Sequence, residues 1–522
     1  MDKNRLKTNN IIALIYVGII LSVFPLVFNN YYFDIMIFKY KFYYITTLIF
    51  IGLIILNNTI TFLLNKENNI FNKSTFGNLS LPEISIIIFI FIAIVSTLQS
   101  DYIYESFWGN EGRYSGCFTL MLYGISILYI IRYLHFKNWI LYIFLFSGFL
   151  ACIFGITDYF KLDILGFKVQ IEPTQYNMFM STIGNVNTYT SYVALVMAIS
   201  TVLFSIEKKT WKTYLYYICM VCSFFAIIMG LSDNSYLSLL TLFGLLPLYL
   251  LKTKTGLRRF LIIITTFLLS IYCIIIINKS VPNKVLQMQG LINNLPLKGL
   301  MLLLLFMGCI TVVAYVAKYL IKDKKEELPI IYRFLWGGLL LLIVGILIFI
   351  LYDINISLNY EKYGALKQYL LFNDDWGTHR GFNWRIGMEN YNRFPLVHKI
   401  FGSGPDTYGI LTYFNDQKEM INKYNETYDS AHNEYLQYFI TMGPLSLVTY
   451  IVFLVSSIIC IIKKSRVNKY VVCIIFAVIC YSVQAFVNIS VPIVTPVMLV
   501  LLASGLAKYE SSTREPKENF HQ

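Results

Sequence analysis

The sequence predicts an all-α polytopic membrane protein: about fourteen transmembrane helices forming one domain over residues 1–522, with one large extracytoplasmic loop at 357–433 inserted before the last three spans. Three observations predict it. The 522-residue chain is 57% hydrophobic, more apolar surface than a soluble domain of this size buries. Apolar runs long enough to cross a hydrocarbon layer of about 30 Å recur from end to end. The basic residues, which give a net charge of +13, alternate in density from one connection to the next.

The apolar runs fall at 11–28, 43–64, 83–99, 117–134, 139–157, 188–206, 213–230, 235–251, 260–277, 299–320, 334–356, 433–462, 470–487 and 493–507. Fully buried soluble helices in that number and series are excluded. The first run lacks a small-residue cleavage site and closes on Phe24, Pro25 and Phe28, so it reads as a retained anchor and not a signal peptide. With the N-terminus placed inside and the spans alternating, 26 of the 42 basic residues fall on inner connections. Eight fall on short outer connections and eight in the long loop. The inner set includes Lys3, Arg5, Lys66, Lys73, Lys252, Arg258, Lys322, Lys324, Lys463, Arg514 and Lys517. This is a positive-inside pattern, with both termini cytoplasmic and 357–433 facing outward. The charge therefore sets topology, and no nucleic acid is needed to explain it. The nine cysteines lie in or at the ends of spans, which leaves the outer face without a disulfide framework or a thiolate cage. Cys219 and Cys222 have the spacing of a redox or metal pair, but inside an apolar span they read as packing residues.

Function concentrates where connections are long, and three outer ones stand out: 100–116, 158–187 and 357–433. The first carries Gly109, Gly112 and Gly116, suited to tight turns, aromatic residues suited to the membrane boundary, and one basic residue, Arg113. Interface anchoring and a functional role are both open for Arg113. The second ends in Gly184-Asn185-Val186-Asn187, which suits the cap of the following helix; its amides would also suit sugar hydroxyls. The third holds His379, His398 and His432 of the chain's five histidines, together with Arg380, Arg385 and Arg393. Arg380 and Trp384 are four apart, so on a helix they share a face. Phe401-Gly402-Ser403-Gly404-Pro405-Asp406 reads as a turn more than as a phosphate loop.

No Walker loop, no His-Glu-x-x-His and no Asp-x-Asp pair occurs on the outer face. This speaks against ATP-driven transport and against a metal-bridged diphosphate site. What remains is arginine and histidine. Arginine holds phosphate in bidentate fashion and stays charged; a neutral histidine removes a proton from a hydroxyl. Together these suit glycosyl transfer without metal or cofactor. The long loop is nearly neutral, with eight basic residues against nine acids, so anion binding needs particular arginines and not a diffuse field. His432 is the best base: it opens a helix that Asp429 or Ser430 would cap, and a helix N-terminus disfavours an imidazolium. His379 and His398 read as structural.

Thr378-His379-Arg380-Gly381-Phe382-Asn383-Trp384-Arg385, then Pro395, Gly402-Ser403-Gly404-Pro405-Asp406, and Ala431-His432-Asn433-Glu434-Tyr435-Leu436 with Gly443 resemble the O-antigen ligase and O-antigen polymerase superfamily. Gly109 to Gly116 with Arg113, and Gly184-Asn185-Val186-Asn187, match further pieces. The resemblance implies a polytopic inverting glycosyltransferase of the GT-C type in a bacterial plasma membrane. Its donor would be a glycan on undecaprenyl diphosphate, and its acceptor a glycan, lipid or protein. It implies His432 as the catalytic residue, Arg380 as the donor diphosphate-binding residue with Arg113 and Arg385 as further ones, and a substrate pocket including Trp384, Asn433, Asn185 and Asn187. No metal, cofactor or nucleic acid is implied. The alternative is a flippase for lipid-linked oligosaccharide or another transporter, which would place charges inside its spans along a central path.

Overall fold

The computed structural model describes residues 2–64, 79–288, 290, 292, 294–320 and 325–509. Lys66, Lys73, Lys322, Lys324, Arg514 and Lys517, part of the inner basic set, lie outside the described residues. The helices are α1 (Asp2–Gly18), α2 (Ile35–Leu64), α3 (Leu81–Leu98), α4 (Ile103–Trp108), α5 (Cys117–Tyr133), α6 (Trp139–Tyr159), α7 (Val186–Ile206), α8 (Thr210–Met229), α9 (Ser235–Leu250), α10 (Lys254–Ser280), α11 (Leu297–Leu320), α12 (Ile331–Asn355), α13 (Lys367–Leu370), α14 (Trp376–Arg393), α15 (Leu396–Phe401), α16 (Tyr408–Tyr424), α17 (Glu434–Lys464), α18 (Val472–Gln484) and α19 (Thr495–Leu506). Two short strand pairs, His135–Phe136 with Lys508–Tyr509 and Phe179–Met180 with Gly184–Asn185, complete it.

The protein is an all-α polytopic membrane protein. Each of the fourteen apolar runs contains a helix, and among the described residues eleven helices are long and apolar enough to cross a membrane. The other three, α5, α9 and α19, are 17, 16 and 12 residues long. At 1.5 Å per residue a 12-residue helix covers roughly 18 Å, short of the roughly 30 Å core. All of α19 is buried, so its hydrophobicity belongs to the protein core and not to a lipid contact. The same core surrounds α7, whose span is 94% buried and which packs against α6, α8, α9, α10 and α18. There Gly155 lets α6 and α7 touch: a Cβ at that position would overlap the Tyr189 hydroxyl. By contrast α11 buries only Leu300 and α12 only Asp353 and Ile354, as helices facing lipid do.

Local sequence sets the helix ends. Ser80 and Glu83 form a capping box at α3, and Asn185, Thr253 and Asn433 cap α7, α10 and α17 through their side chains. Gly443 (φ 79°) followed by Pro444 breaks α17 near its start. The connections sort into two ends. At one, Asn9 meets Asn58, Asn10 meets His135, Tyr470 meets Glu207 and Lys464 meets Ala507. At the other, Asn110 and Ser115 meet Asp406, Ser115 meets Ser490, Arg380 meets Val487 and Asn187 meets Ser232. This is the sorting that alternating spans require, and the second end carries the long loop.

Candidate active site

The loop folds as α13 to α16 and hangs its chemistry on a strained turn. Gly377, Thr378 and His379 lie in the left-handed region, with φ of 61°, 59° and 65°. For a residue with a Cβ this costs about 1–2 kcal/mol each. The turn is held by the His379 ring, which stacks on Tyr424 at 3.9 Å and shares a 2.6 Å hydrogen bond between Nδ1 and the Tyr428 hydroxyl. His379 is thus structural, as is His398, whose Nε2 donates to the Gln99 carbonyl at 3.2 Å.

The turn delivers Arg380 into the end of the bundle that carries the loop, where it is 9% exposed. Its Nε donates to the Val487 carbonyl at 3.0 Å and its Nη1 to the Gly377 carbonyl. No carboxylate lies within ion-pair distance of Arg380 among the described residues. Burial pulls its pKa down to about 10, against the longer-range pull of Asp233, so it stays cationic at neutral pH.

His432 is fixed from both sides. Trp384 Nε1 donates to the Ala431 carbonyl at 2.9 Å, and the Ala431 amide donates to Gln437 at 2.9 Å. On the other side the Asn433 side chain accepts from the Tyr435 and Leu436 amides at 3.0 and 3.1 Å. Between these anchors His432 takes φ 49°. Its Nδ1 is enclosed and has no hydrogen-bond partner among the described residues. Burial first, then the charges of Arg380 and Arg113, push its pKa down to about 3, while Asp429 acts in the opposite direction. The ring is therefore neutral at every physiological pH.

Arg113 reaches the cluster from the connection between α4 and α5. Its Nε and Nη2 donate to Asp429 Oδ2 and Oδ1 at 2.8 and 2.7 Å, a bidentate pair. Burial works against the Asp429 carboxylate, but the Arg113 charge and hydrogen bonds outweigh it and bring the pKa below the ordinary value. Asp406, on the Gly-x-Gly-Pro turn, fastens the same connection by accepting from the Asn110 and Ser115 amides at 2.8 and 3.0 Å. Burial raises its pKa to about 7 in spite of those donors.

One expectation is corrected. The cap of α17 is Asn433, not Asp429 or Ser430: only Asn433 has the extended backbone (φ −150°, ψ 109°) next to the first helical residue. Its side-chain oxygen is therefore occupied by the helix. Asn185 likewise caps α7, accepting from the Asn187 amide at 2.9 Å. Asn187 accepts from Ser232 at 2.7 Å and from Asn234 at 3.2 Å, tying the start of α7 to the connection between α8 and α9. Arg385 does not join the cluster as an open guanidinium. It pairs with Asp374 at 3.0 Å, Glu389 at 2.9 Å and Glu419 at 2.6 Å, and the Asp374 bonds lead in raising its pKa. Trp384 acts on the site through Ala431, by positioning the backbone of His432.

Sequence reasoning passed over Glu434. It is 1% exposed and accepts from the Tyr450 and Tyr481 hydroxyls at 2.6 and 3.1 Å. With Arg113, Asp406, Ser430 and Ser490 it lines a cavity of about 30 Å³, room for a water molecule. The signal was its place directly after His-Asn, at the first residue of a span, where an acid is costly unless partnered. Among the described residues no group of three or more His, Cys, Asp or Glu is placed to hold a metal ion.

No curated protein matches the chain. The family model described as O-antigen ligase matches residues 298–451, a stretch from α11 to the first half of α17 that includes Arg380, Trp384 and His432 but not Arg113, Asn185 or Asn187. Over that stretch the chain is similar to the O-antigen ligase and polymerase superfamily of multi-pass membrane enzymes.

Proposed function

We propose that this protein is a membrane glycosyltransferase, an O-antigen ligase or surface polysaccharide polymerase. In this reading it moves a glycan from an undecaprenyl-diphosphate donor to an acceptor hydroxyl at the outer face of a bacterial plasma membrane. One observation carries the reading: a neutral histidine with an unengaged, enclosed ring nitrogen within electrostatic reach of Arg380 and Arg113. The acceptor oxygen attacks the anomeric carbon from the face opposite the diphosphate. The carbon–oxygen bond to the diphosphate breaks, its electron pair leaves with the lipid diphosphate, and the hydroxyl proton passes to the His432 ring. Configuration inverts. Arg380 holds the departing charge, and no metal is involved.

The charges add a condition. A ring held near pKa 3 by burial and by two guanidinium groups is a weak base. A diphosphate bound at Arg380 offsets the larger of the two charges that depress the ring, so the base gains strength when donor is present. The flippase alternative fits less well. The buried charged side chains of the described spans, Lys39, Asp158, Arg258, Asp353 and Glu434, all sit within two turns of a helix end and trace no central path.

The test is reconstitution with a defined polyprenyl-diphosphate oligosaccharide, several acceptors and EDTA in excess. Product is expected from the wild-type protein, and from His432→Ala at equal insertion a rate lower by about 10²- to 10⁴-fold. Normal product from His432→Ala overturns the base assignment, and loss of wild-type product in EDTA, restored by a divalent ion, overturns the metal-free mechanism.

A further inference from the structure

Beside the Arg380 turn the loop opens a groove of about 340 Å³, its lining including Lys367, Gln368, Leu371, Asn373, Asp375 and Trp376. That volume falls in the range of roughly 300–1,000 Å³ occupied by small-ligand sites. It lies at the outer end of α12, tied there by Asn355, whose Nδ2 donates to the Leu370 carbonyl at 2.8 Å and whose Oδ1 accepts from the Phe372 amide at 2.7 Å. The groove's charges are already answered. Lys367 pairs with Glu361 at 2.6 Å and lies over the Tyr360 ring, and Asp375 accepts from the Tyr424 hydroxyl at 2.9 Å. An anion would find no open cation in it. What remains is an indole, half-buried, and two exposed amides, Asn373 and Gln368, the latter also within reach of the Tyr369 hydroxyl. An aromatic wall with amides that both donate and accept matches a ring whose faces are apolar and whose rim carries hydroxyls.

Two short chains of contact join the groove to the active site. Trp376 packs on Trp384 at 5.1 Å, and Trp384 holds the Ala431 carbonyl next to His432. Gly377, directly after Trp376, accepts from Arg380. We infer that this groove is a saccharide subsite that binds an uncharged sugar ring of the glycan whose reactive end lies between Arg380 and His432. The inference rests on the glycosyl-transfer reading for its choice of glycan. The ring belongs to donor or acceptor, and the two sources separate kinetically.

The experiment uses the full-length protein in lipid nanodiscs and, as probe, free oligosaccharides released by mild acid from the surface polysaccharide of the producing cell. Binding is followed by saturation-transfer NMR. Wild-type protein and His432→Ala are expected to bind equally. The pair Gln368→Ala with Asn373→Ala is expected to bind at least fivefold more weakly, and Gln368→Trp, which fills the groove, to abolish binding. In the transfer assay the alanine pair should raise KM about tenfold for one glycan substrate, with kcat within about twofold, as expected when two neutral hydrogen bonds are lost. The substrate whose KM moves is the one that occupies the groove. No binding by the wild type, or binding by both the alanine pair and Gln368→Trp within twofold of it, overturns the subsite. Binding that weakens in these variants, with no transfer by the wild type, upholds the subsite and overturns the transfer reading instead.

Discussion

Replacing Trp384 with phenylalanine removes one hydrogen bond and little else. The ring still packs against Trp376, now 5.1 Å away, but the Ala431 carbonyl loses its donor at 2.9 Å. Ala431 is 0% exposed, so water does not replace the bond. A buried carbonyl left unpaired costs about 1–3 kcal/mol. That cost is relieved if the chain at 431–432 moves. His432, held at φ 49° against a preference of about 1–2 kcal/mol, gains from moving too. The fraction of protein with the imidazole in place should then fall by a free energy of about 1–2 kcal/mol, roughly 5- to 30-fold in kcat. KM for donor should stay within about twofold, since Arg380 keeps both of its carbonyl contacts. The assay is single-turnover transfer at saturating donor, paired with a double-mutant cycle. In a His432→Ala background Trp384→Phe should have no further effect, because the group it positions is gone. Wild-type kcat in Trp384→Phe, or an equal loss in both backgrounds, would refute the positioning argument.

Three further outcomes are expected. Arg380→Lys keeps a charge but not the planar fork that meets two carbonyls and a phosphate, so donor kcat/KM should fall about 10- to 100-fold, and Arg380→Ala should fall about 10³-fold; equal values for lysine and arginine would exclude a bidentate role. In pH profiles, a ring whose pKa is lowered to about 3 in the free protein protonates only as pH falls through that value, so His432 should give kcat/KM no acid limb between pH 5 and 8. Bound diphosphate should lift the corresponding limb of kcat to higher pH, and a His432-dependent limb of kcat/KM near 6.5 would contradict the burial seen here. Asp429→Asn removes the carboxylate that offsets Arg113 and that favours the protonated ring. Donor KM should drop and kcat should drop with it, while melting temperature changes little because the Asp429 side chain is 45% exposed; a rise in kcat would reverse the assigned signs.

The parts of this protein that were legible in its sequence are those set by local composition. A run of apolar residues declares a helix because lipid and core both require the backbone to satisfy itself, and all fourteen runs contain one. It does not declare whether lipid or protein will cover that helix. Thr495–Leu506 and Ile331–Asn355 are both apolar, yet one is wholly buried and the other buries only Asp353 and Ile354. Residue type is what makes His432 and Arg380 candidates, since a membrane protein has few other groups able to hold a proton or a diphosphate. What the sequence concealed is how the remaining polar groups are occupied. Arg113 and Asp429 pair across 316 positions, and Arg385 finds Glu419 across 34; no spacing rule reaches that far. Short-range chemistry hid in a different way. Asn433 and Asn185 look like sugar-binding amides and fit capping equally well, and the fold uses both as caps. Glu434 reads as an ordinary charge beside a histidine until Tyr450 and Tyr481 close around it.

These occupied groups explain why the site is built from so few open ones. Each neighbour already engaged with a carboxylate or an amide is one that cannot compete for substrate. Arg385 with three carboxylates, Lys367 with Glu361 and Asn433 with its helix leave Arg380 as a guanidinium without a close acid, and the His432 Nδ1 as an enclosed ring nitrogen without a donor. Such groups are costly to bury, and the surrounding strain at Gly377 to His379 and at His432 adds to the cost. A bound diphosphate and an acceptor hydroxyl would satisfy both. On that argument donor should raise the melting temperature of the wild-type protein and raise it much less in Arg380→Ala, in proportion to the affinity lost.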